Sequence, residues 1–203
     1  QTCALPILHI TTSFPPGYRP HVGISLEESI NAYKPHDIVF RGIRIEGMAS
    51  GMKVISGISG ITIENCEFLN NYKMAPESGH SQGLFVSGSD ITVRNNLFEN
   101  NGKADSWFDW NMYVSKSTNV LIEGNRISRH VSGIKIRKGD GITIRANIIH
   151  NMTLVGISLG GDSQAGLSNV LVEQNVIFDT KEDRKSTRLN SSHSSVSRMP
   201  SSA

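Results

Sequence analysis

Six short segments of this 203-residue chain repeat one pattern: 37–45 (DIVFRGIRI), 60–68 (GITIENCEF), 90–98 (DITVRNNLF), 119–127 (NVLIEGNRI), 141–149 (GITIRANII) and 169–177 (NVLVEQNVI). Their starts lie 23, 30, 29, 22 and 28 residues apart. Each unit opens on Asp, Gly or Asn, alternates apolar with polar residues, turns, and adds one more short strand. Such period-2 alternation is a strand signature, and no sustained 3.6-residue periodicity competes with it. A repeat of this length marks a solenoid, because one unit cannot bury its apolar face except against the next.

A second strand recurs between these units: GMKV at 51–54, GLFV at 83–86, NMYV at 111–114, GIKI at 133–136 and GISL at 156–159. Three short strands per turn of about 22 residues is the arithmetic of a right-handed parallel β-helix, with coils stacked roughly 4.8 Å apart. The expected architecture is therefore all-β, a single-stranded solenoid of about six coils. The extra residues of the longer repeats leave as loops beside the GxxV strand. Asn96, Asn125, Asn147 and Asn175 share one position in their units, with Cys66 in the same column one coil earlier. Stacked amides at that turn are expected to link coil to coil and to satisfy backbone groups. Cys66, with no nearby partner cysteine, reads as a small buried hydrophobe.

The two ends read differently. Residues 183–203 are rich in Ser and Arg with no period, and together with residues 1–7 they resemble the in-frame translation of a sequencing adapter. The expected organisation is 1–7 as adapter-derived and non-native, 8–36 as a segment leading into the solenoid, 37–182 as the repeats, and 183–203 as an adapter-derived disordered tail. The whole chain carries 20 basic and 18 acidic residues. Setting aside the last segment, which holds four basic residues against one acidic, leaves 16 against 17 and removes the electrostatic case for nucleic acid. No apolar run is long enough for a transmembrane helix, so no membrane partner is expected.

The units ITIENCEFLNN and ITVRNNLFENN, and the run GIKIRKGDGITIRANII followed by GISLGGDS, resemble the right-handed β-helix repeats of the pectate-lyase-like superfamily over 37–180. That superfamily includes polysaccharide lyases, glycoside hydrolases, epimerases, tailspikes and surface proteins. The resemblance implies a carbohydrate-active fragment acting on or binding an acidic polysaccharide, lyase slightly ahead of hydrolase. The alternative is a non-catalytic binding or surface module of tailspike type. It also implies a secreted or cell-surface location, and it is the sole ground on which calcium would enter; no other cofactor is evident.

Parallel β-helix enzymes of this kind work in a groove along one sheet, and here the GxxV strands are the groove candidate. Alternation points Met52, Val54, Leu84, Val86, Met112, Val114, Ile134, Ile136, Ile157 and Leu159 inward. It points Lys53, Phe85, Tyr113, Lys135 and Ser158 outward, with a second row of Ser87, Ser115 and Arg137 and Lys138 just beyond. Sugar rings can pack on Phe85 or Tyr113 while cationic groups pair with uronate carboxylates. Elimination needs a base and a cation at the enolate-like intermediate. Lys135 as base, Arg137 or Lys138 as cation and Tyr113 as proton donor are the expected catalytic set, although the next coil, GISLGGDS, holds no Arg. The loop 104–110 (ADSWFDW) concentrates aromatics and acids before a groove strand. Trp107, Asp109 and Trp110 from it, with His130, Lys53, Phe85 and Lys138, are the expected substrate-binding residues. No acidic pair suits a hydrolase, no His spacing suits zinc and no acidic loop suits calcium, so no metal site is expected.

Overall fold

The computed structural model describes residues 8–10, 21–27, 34–73, 80–103, 106, 108–160 and 166–180. The adapter-like segments 1–7 and 183–203 lie outside them. The path is set at corners. In each coil three residues with positive φ follow one another at five-residue steps: Asp37, Gly42 and Gly47; Asn65 and Asn70 after Gly60; Asn95 and Asn100 after Asp90; Gly124 and Arg129 after Asn119. The last two repeats continue it with Gly141, Ala146, Asn151 and Asn169, Gln174, Asp179. Gly, Asn and Asp tolerate the left-handed backbone at small cost, which is why every unit opens on one of them. Two sides of the coil thus have one length throughout, and all variation in repeat length falls on the third.

Three stacks of parallel strands result. The first holds β3 (His36–Arg41), β6 (Ser59–Glu64), β9 (Ser89–Arg94), the later part of β11 (Trp110–Glu123), the later part of β12 (Arg126–Arg145) and β14 (Leu167–Glu173). The second holds β1 (Leu8–Ile10), β4 (Ile43–Glu46), β7 (Glu67–Leu69), β10 (Leu97–Glu99), the starts of β12 and β13 (Ile148–Leu159), and β15 (Val176–Phe178). The third holds β2 (Ile24–Leu26), β5 (Met52–Val54), β8 (Gln82–Val86) and the facing parts of β11, β12 and β13. This is the expected right-handed parallel β-helix. The segment 8–36, expected to lead into the solenoid, already contributes β1 and β2 to it.

Like residues stack on like. Ile61, Ile91, Val120 and Ile142 form one buried column, and the Phe68 and Phe98 rings stack at 4.7 Å between centroids, 3° from parallel. The Asn column is present. The backbone N–H and Nδ2 of Asn96 both donate to Asn125 Oδ1 at 3.0 Å, and Asn125 repeats this on Asn147 at 2.9 Å. Each Nδ2 also reaches a carbonyl of the preceding coil, Ile63 for Asn96 and Val93 for Asn125. Cys66 occupies the column's upper place, buried, its thiol donating to the carbonyls of Glu64 (3.3 Å) and Phe40 (3.6 Å). Burial pushes its pKa up, which keeps it protonated and unreactive.

Two further ladders exist that sequence reading did not identify. Asn71 and Asn101 form a second buried amide column at the third corner, Asn71 Nδ2 donating to Asn101 Oδ1 at 2.8 Å. Its next rung is Asn111, which comes from the following strand, Asn101 Nδ2 donating to Asn111 Oδ1 at 2.9 Å. On the first stack, register aligns Arg41, Glu64, Arg94, Glu123, Arg145 and Glu173 in alternating charge. Buried Glu64 is clamped by Arg41 (2.5 Å) and Arg94 (2.6 Å), which hold its carboxyl below the usual range. Alternation makes a one-coil slip costly, since it would set Arg upon Arg.

Of the ten residues expected inside on the GxxV strands, Met52, Val54, Leu84, Val86, Met112, Val114, Ile134 and Ile136 are buried. Ile157 is half-buried and Leu159 is exposed. Both pair with Ile134 and Ile136 on one side, and among the described residues no strand pairs with them on the other.

Candidate functional site

The outward positions of the third stack form one column in register: Ser25, Lys53, Phe85, Tyr113, Lys135 and Ser158. All but Ser25, which is exposed, are half-buried, as side chains standing on a sheet between neighbours are. Phe85 and Tyr113 stack at 5.8 Å between centroids, 19° from parallel. Their faces turn toward each other, so the rings present edges to solvent more than broad faces. The expected packing of a sugar on a free aromatic face is therefore restricted, because cross-coil stacking occupies those faces. Ring edges carry the positive end of the aromatic quadrupole, and they stand between two ammonium groups.

Lys135 is the most structured member. Its Nζ donates to Ser158 Oγ at 2.9 Å and lies 5.7 Å from the centroid of the Trp110 ring. Burial, and secondarily Arg137, lower its pKa. Arg137 is exposed at an irregularity: Val114 pairs with Ile136, but Ser115 pairs with Lys138. The β-bulge shifts Arg137 out of the ladder and brings Lys138 opposite Ser115. Ser87 and Ser115, expected in an outward row, are buried. Ser115 lies at the same irregularity, and two residues on the Ser117 hydroxyl donates to the Val86 carbonyl of the preceding coil.

The loop residues divide. Trp107 lies outside the described residues. Trp110 is only 6% exposed and lies against Lys135 rather than open to solvent. Asp109 is fully buried: Oδ1 accepts the Ser81 N–H (3.1 Å) and Oδ2 the Lys103 N–H (2.8 Å), so the carboxylate ties two chain segments together. His130 is buried as well. Asp109 and His130 therefore hold the corner, and neither presents a free group to a surface ligand. Phe108, unremarked in sequence beyond its loop, is 66% exposed, and its ring stands 5.1 Å from that of His80. The structure thus brings Lys53, Phe85, Tyr113 and Lys135 into one stripe, sets Trp110 beside it, and places Arg137 and Lys138 at its edge.

A sequence model of the NosD family, described as periplasmic copper-binding protein, matches residues 19–198. The match runs past the last described strand into the Ser-rich segment. No curated protein matches. Among solved structures, a double mutant of the tailspike protein of E. coli bacteriophage HK620, in complex with a pentasaccharide, is similar with a TM-score of 0.59 and 12% identity. The similarity covers 79% of this chain and 28% of the tailspike chain, so this chain spans little over a quarter of it. At that identity the likeness is one of fold.

Copper favours imidazole and soft sulfur ligands. Among the described residues no three of His, Cys, Asp or Glu come together as ligands. Cys66 is sealed in the Asn column, and the Met48, Met52, Met112 and Met152 side chains are buried in the apolar core. The described residues do not fit a copper site.

Proposed function

We infer function from one premise: the chain belongs to the NosD family and folds as a right-handed parallel β-helix. We propose that it is a polysaccharide-binding module, and that its ligand is an acidic polysaccharide lying along Lys53, Phe85, Tyr113 and Lys135. The observation that carries this reading is the in-register stripe itself, whose charged members are all cationic and whose aromatic edges favour the same sign of ligand. The pentasaccharide bound by the tailspike is in keeping with it, since β-helices of that fold can take extended sugars. The family's periplasmic description supports a location outside the cytoplasm.

The test is titration with polygalacturonate, alginate and neutral dextran. Acidic chains should bind, weaken with added salt, and lose at least about tenfold in affinity in the Lys53→Ala/Lys135→Ala double variant, as loss of two charge-assisted contacts implies. Equal binding of dextran, or no effect of the double substitution, would overturn the reading.

One arrangement favours elimination as a second reading: Lys135 is half-buried beside Trp110, with Nζ donating to Ser158 Oγ at 2.9 Å, and that burial lowers its pKa. In that reaction the Lys135 amine takes the proton from the carbon bearing the carboxylate. The bond to the leaving sugar oxygen breaks as the ring double bond forms, and Tyr113 protonates that oxygen while Arg137 or Lys138 faces the carboxylate. Absorbance of unsaturated sugar ends, lost in Lys135→Ala, tests it.

A further inference from the structure

The second amide column is broken at one place, and a buried histidine stands in the break. Two residues past the Glu99–Ser128 pair, His130 occupies the position that Asn71 and Asn101 hold in the two preceding coils. Asn111 takes over the hydrogen bonds of Asn101, and the same Asn111 donates through Nδ2 to the Ser132 carbonyl at 3.4 Å. Asn111 and Ser132 lie two and three residues before Tyr113 and Lys135. The corner around His130 is thus tied directly to the strands that carry the lower half of the stripe.

His130 is tightly packed. A Cβ on Gly102 would fall 2.8 Å from its Cε1 and 2.8 Å from the Asp109 Cβ, so ring, glycine and carboxylate are in close packing. Its Nδ1 accepts the Ser132 N–H at 3.3 Å, which puts the hydrogen of the neutral ring on Nε2, where it is buried without a hydrogen-bond partner. Protonation would place a second hydrogen on Nδ1, pointing at an N–H. The Ser132 bond would be lost and a cation left in a buried site. The groups facing the ring are Asp109, whose two oxygens are already engaged by Ser81 and Lys103, the backbone of Gly102, Lys103 and Ser132, and Met152 in the next coil. His80 stands beyond Asp109, 3.6 Å from its carboxylate.

We propose that His130 is an acid-sensitive latch on the polysaccharide stripe: its protonation loosens the corner, frees Ser132 and Asn111, and releases the ligand from Tyr113 and Lys135. Burial depresses the ring's pKa against the partial opposition of Asp109 and the backbone carbonyls. The sign follows. A histidine whose folded pKa is depressed contributes stability above its unfolded value of about 6.5, and that contribution falls away as pH drops below it. Uronate carboxylates keep their charge from pH 7.5 to about 5, and because burial lowers the pKa of Lys135, acid can only add to its charge, so direct titration at the stripe would strengthen binding rather than weaken it.

This inference rests on the binding reading above, so its experiment has two arms. In the first, polygalacturonate affinity is measured at pH 7.5 and 5.0 for the wild type, His130→Asn and His130→Gln; Asn is the residue the column uses elsewhere. The wild type should weaken by about tenfold or more and the variants by less than about twofold, tenfold being the 1.4 kcal/mol equivalent of one proton-linked unit. A pH dependence unchanged in whichever variant folds would overturn the latch. In the second arm, needing no ligand, Trp110 emission is followed with pH in a Trp107→Phe background. A red shift setting in below about pH 6.5 and abolished by His130→Asn or His130→Gln is expected; no shift overturns the latch. Failure to bind at any pH, with the Trp110 shift present, would instead overturn the binding reading alone.

Discussion

Replacing Asn125 by Ala tests whether the amide column is a main source of the solenoid's stability. Asn125 is buried in mid-column. Its Oδ1 receives two hydrogen bonds from Asn96 at 3.0 Å, and its Nδ2 gives one to the Val93 carbonyl and one to Asn147 Oδ1, both at 2.9 Å. Some of these partners have alternatives: Asn96 Nδ2 keeps Ile63, and Asn147 Oδ1 keeps the backbone N–H at 125. The Asn96 N–H and the Val93 carbonyl lose their side-chain partner in a buried site. At about 1–3 kcal/mol for each buried group left short, the substitution should cost about 3 kcal/mol. For a chain of this size that lowers Tm by roughly 6–12 °C. Thermal unfolding followed by circular dichroism at 218 nm reads it directly. The comparison is Asn175→Ala, at the column's half-exposed lower end, where water can replace the amide and the loss should be about 1 kcal/mol. A Tm for Asn125→Ala within 2 °C of the wild type, or no lower than that of Asn175→Ala, would show that the column is not a main source of stability.

Other expectations can be checked on the same instrument. Glu64 has a folded pKa depressed first by Arg41 and then by Arg94, so its contribution is present above the ordinary 4.5 and lost as pH falls below it; Glu64→Gln should lower Tm at pH 7 and flatten its further fall in acid. Gly83→Ala should cost about 2 kcal/mol, roughly 4–8 °C, because the new Cβ would meet the Asn111 carbonyl oxygen at 2.7 Å and the Asn101 amide carbon at 2.8 Å. Gly166→Ala, with nothing within 4 Å, should leave Tm unchanged. Removing residues 1–7 and 183–203 together should leave Tm within error, since 183–203 has no period and few apolar side chains to offset its ordering entropy; a drop of several degrees would show that the removed residues contribute to the fold.

Much of this protein was legible in its sequence because the information is local. A left-handed corner selects Asn, Asp or Gly at its own position, so Asp37, Gly60, Asp90 and Asn119 announce their coils without reference to anything distant. Strand alternation likewise separated Met52 and Leu84 from Lys53 and Phe85, and the shared offset of Asn96, Asn125 and Asn147 showed a column. The alternating final residue of ITIE, ITVR, VLIE, ITIR and VLVE was present in the same text, but its meaning exists only across coils, once register sets Glu64 between Arg41 and Arg94. The second amide column was harder still: its third rung, Asn111, comes ten residues after Asn101 rather than one repeat later, so no periodicity could reveal it. The tertiary structure alone decided which polar and aromatic side chains stay accessible. Asp109, Trp110 and His130 are residue types that suit a ligand surface, yet all three are buried. A strand's alternation is dictated by its own backbone, whereas burial of a loop residue depends on where a neighbouring coil leaves space, and that space is a property of the assembled helix.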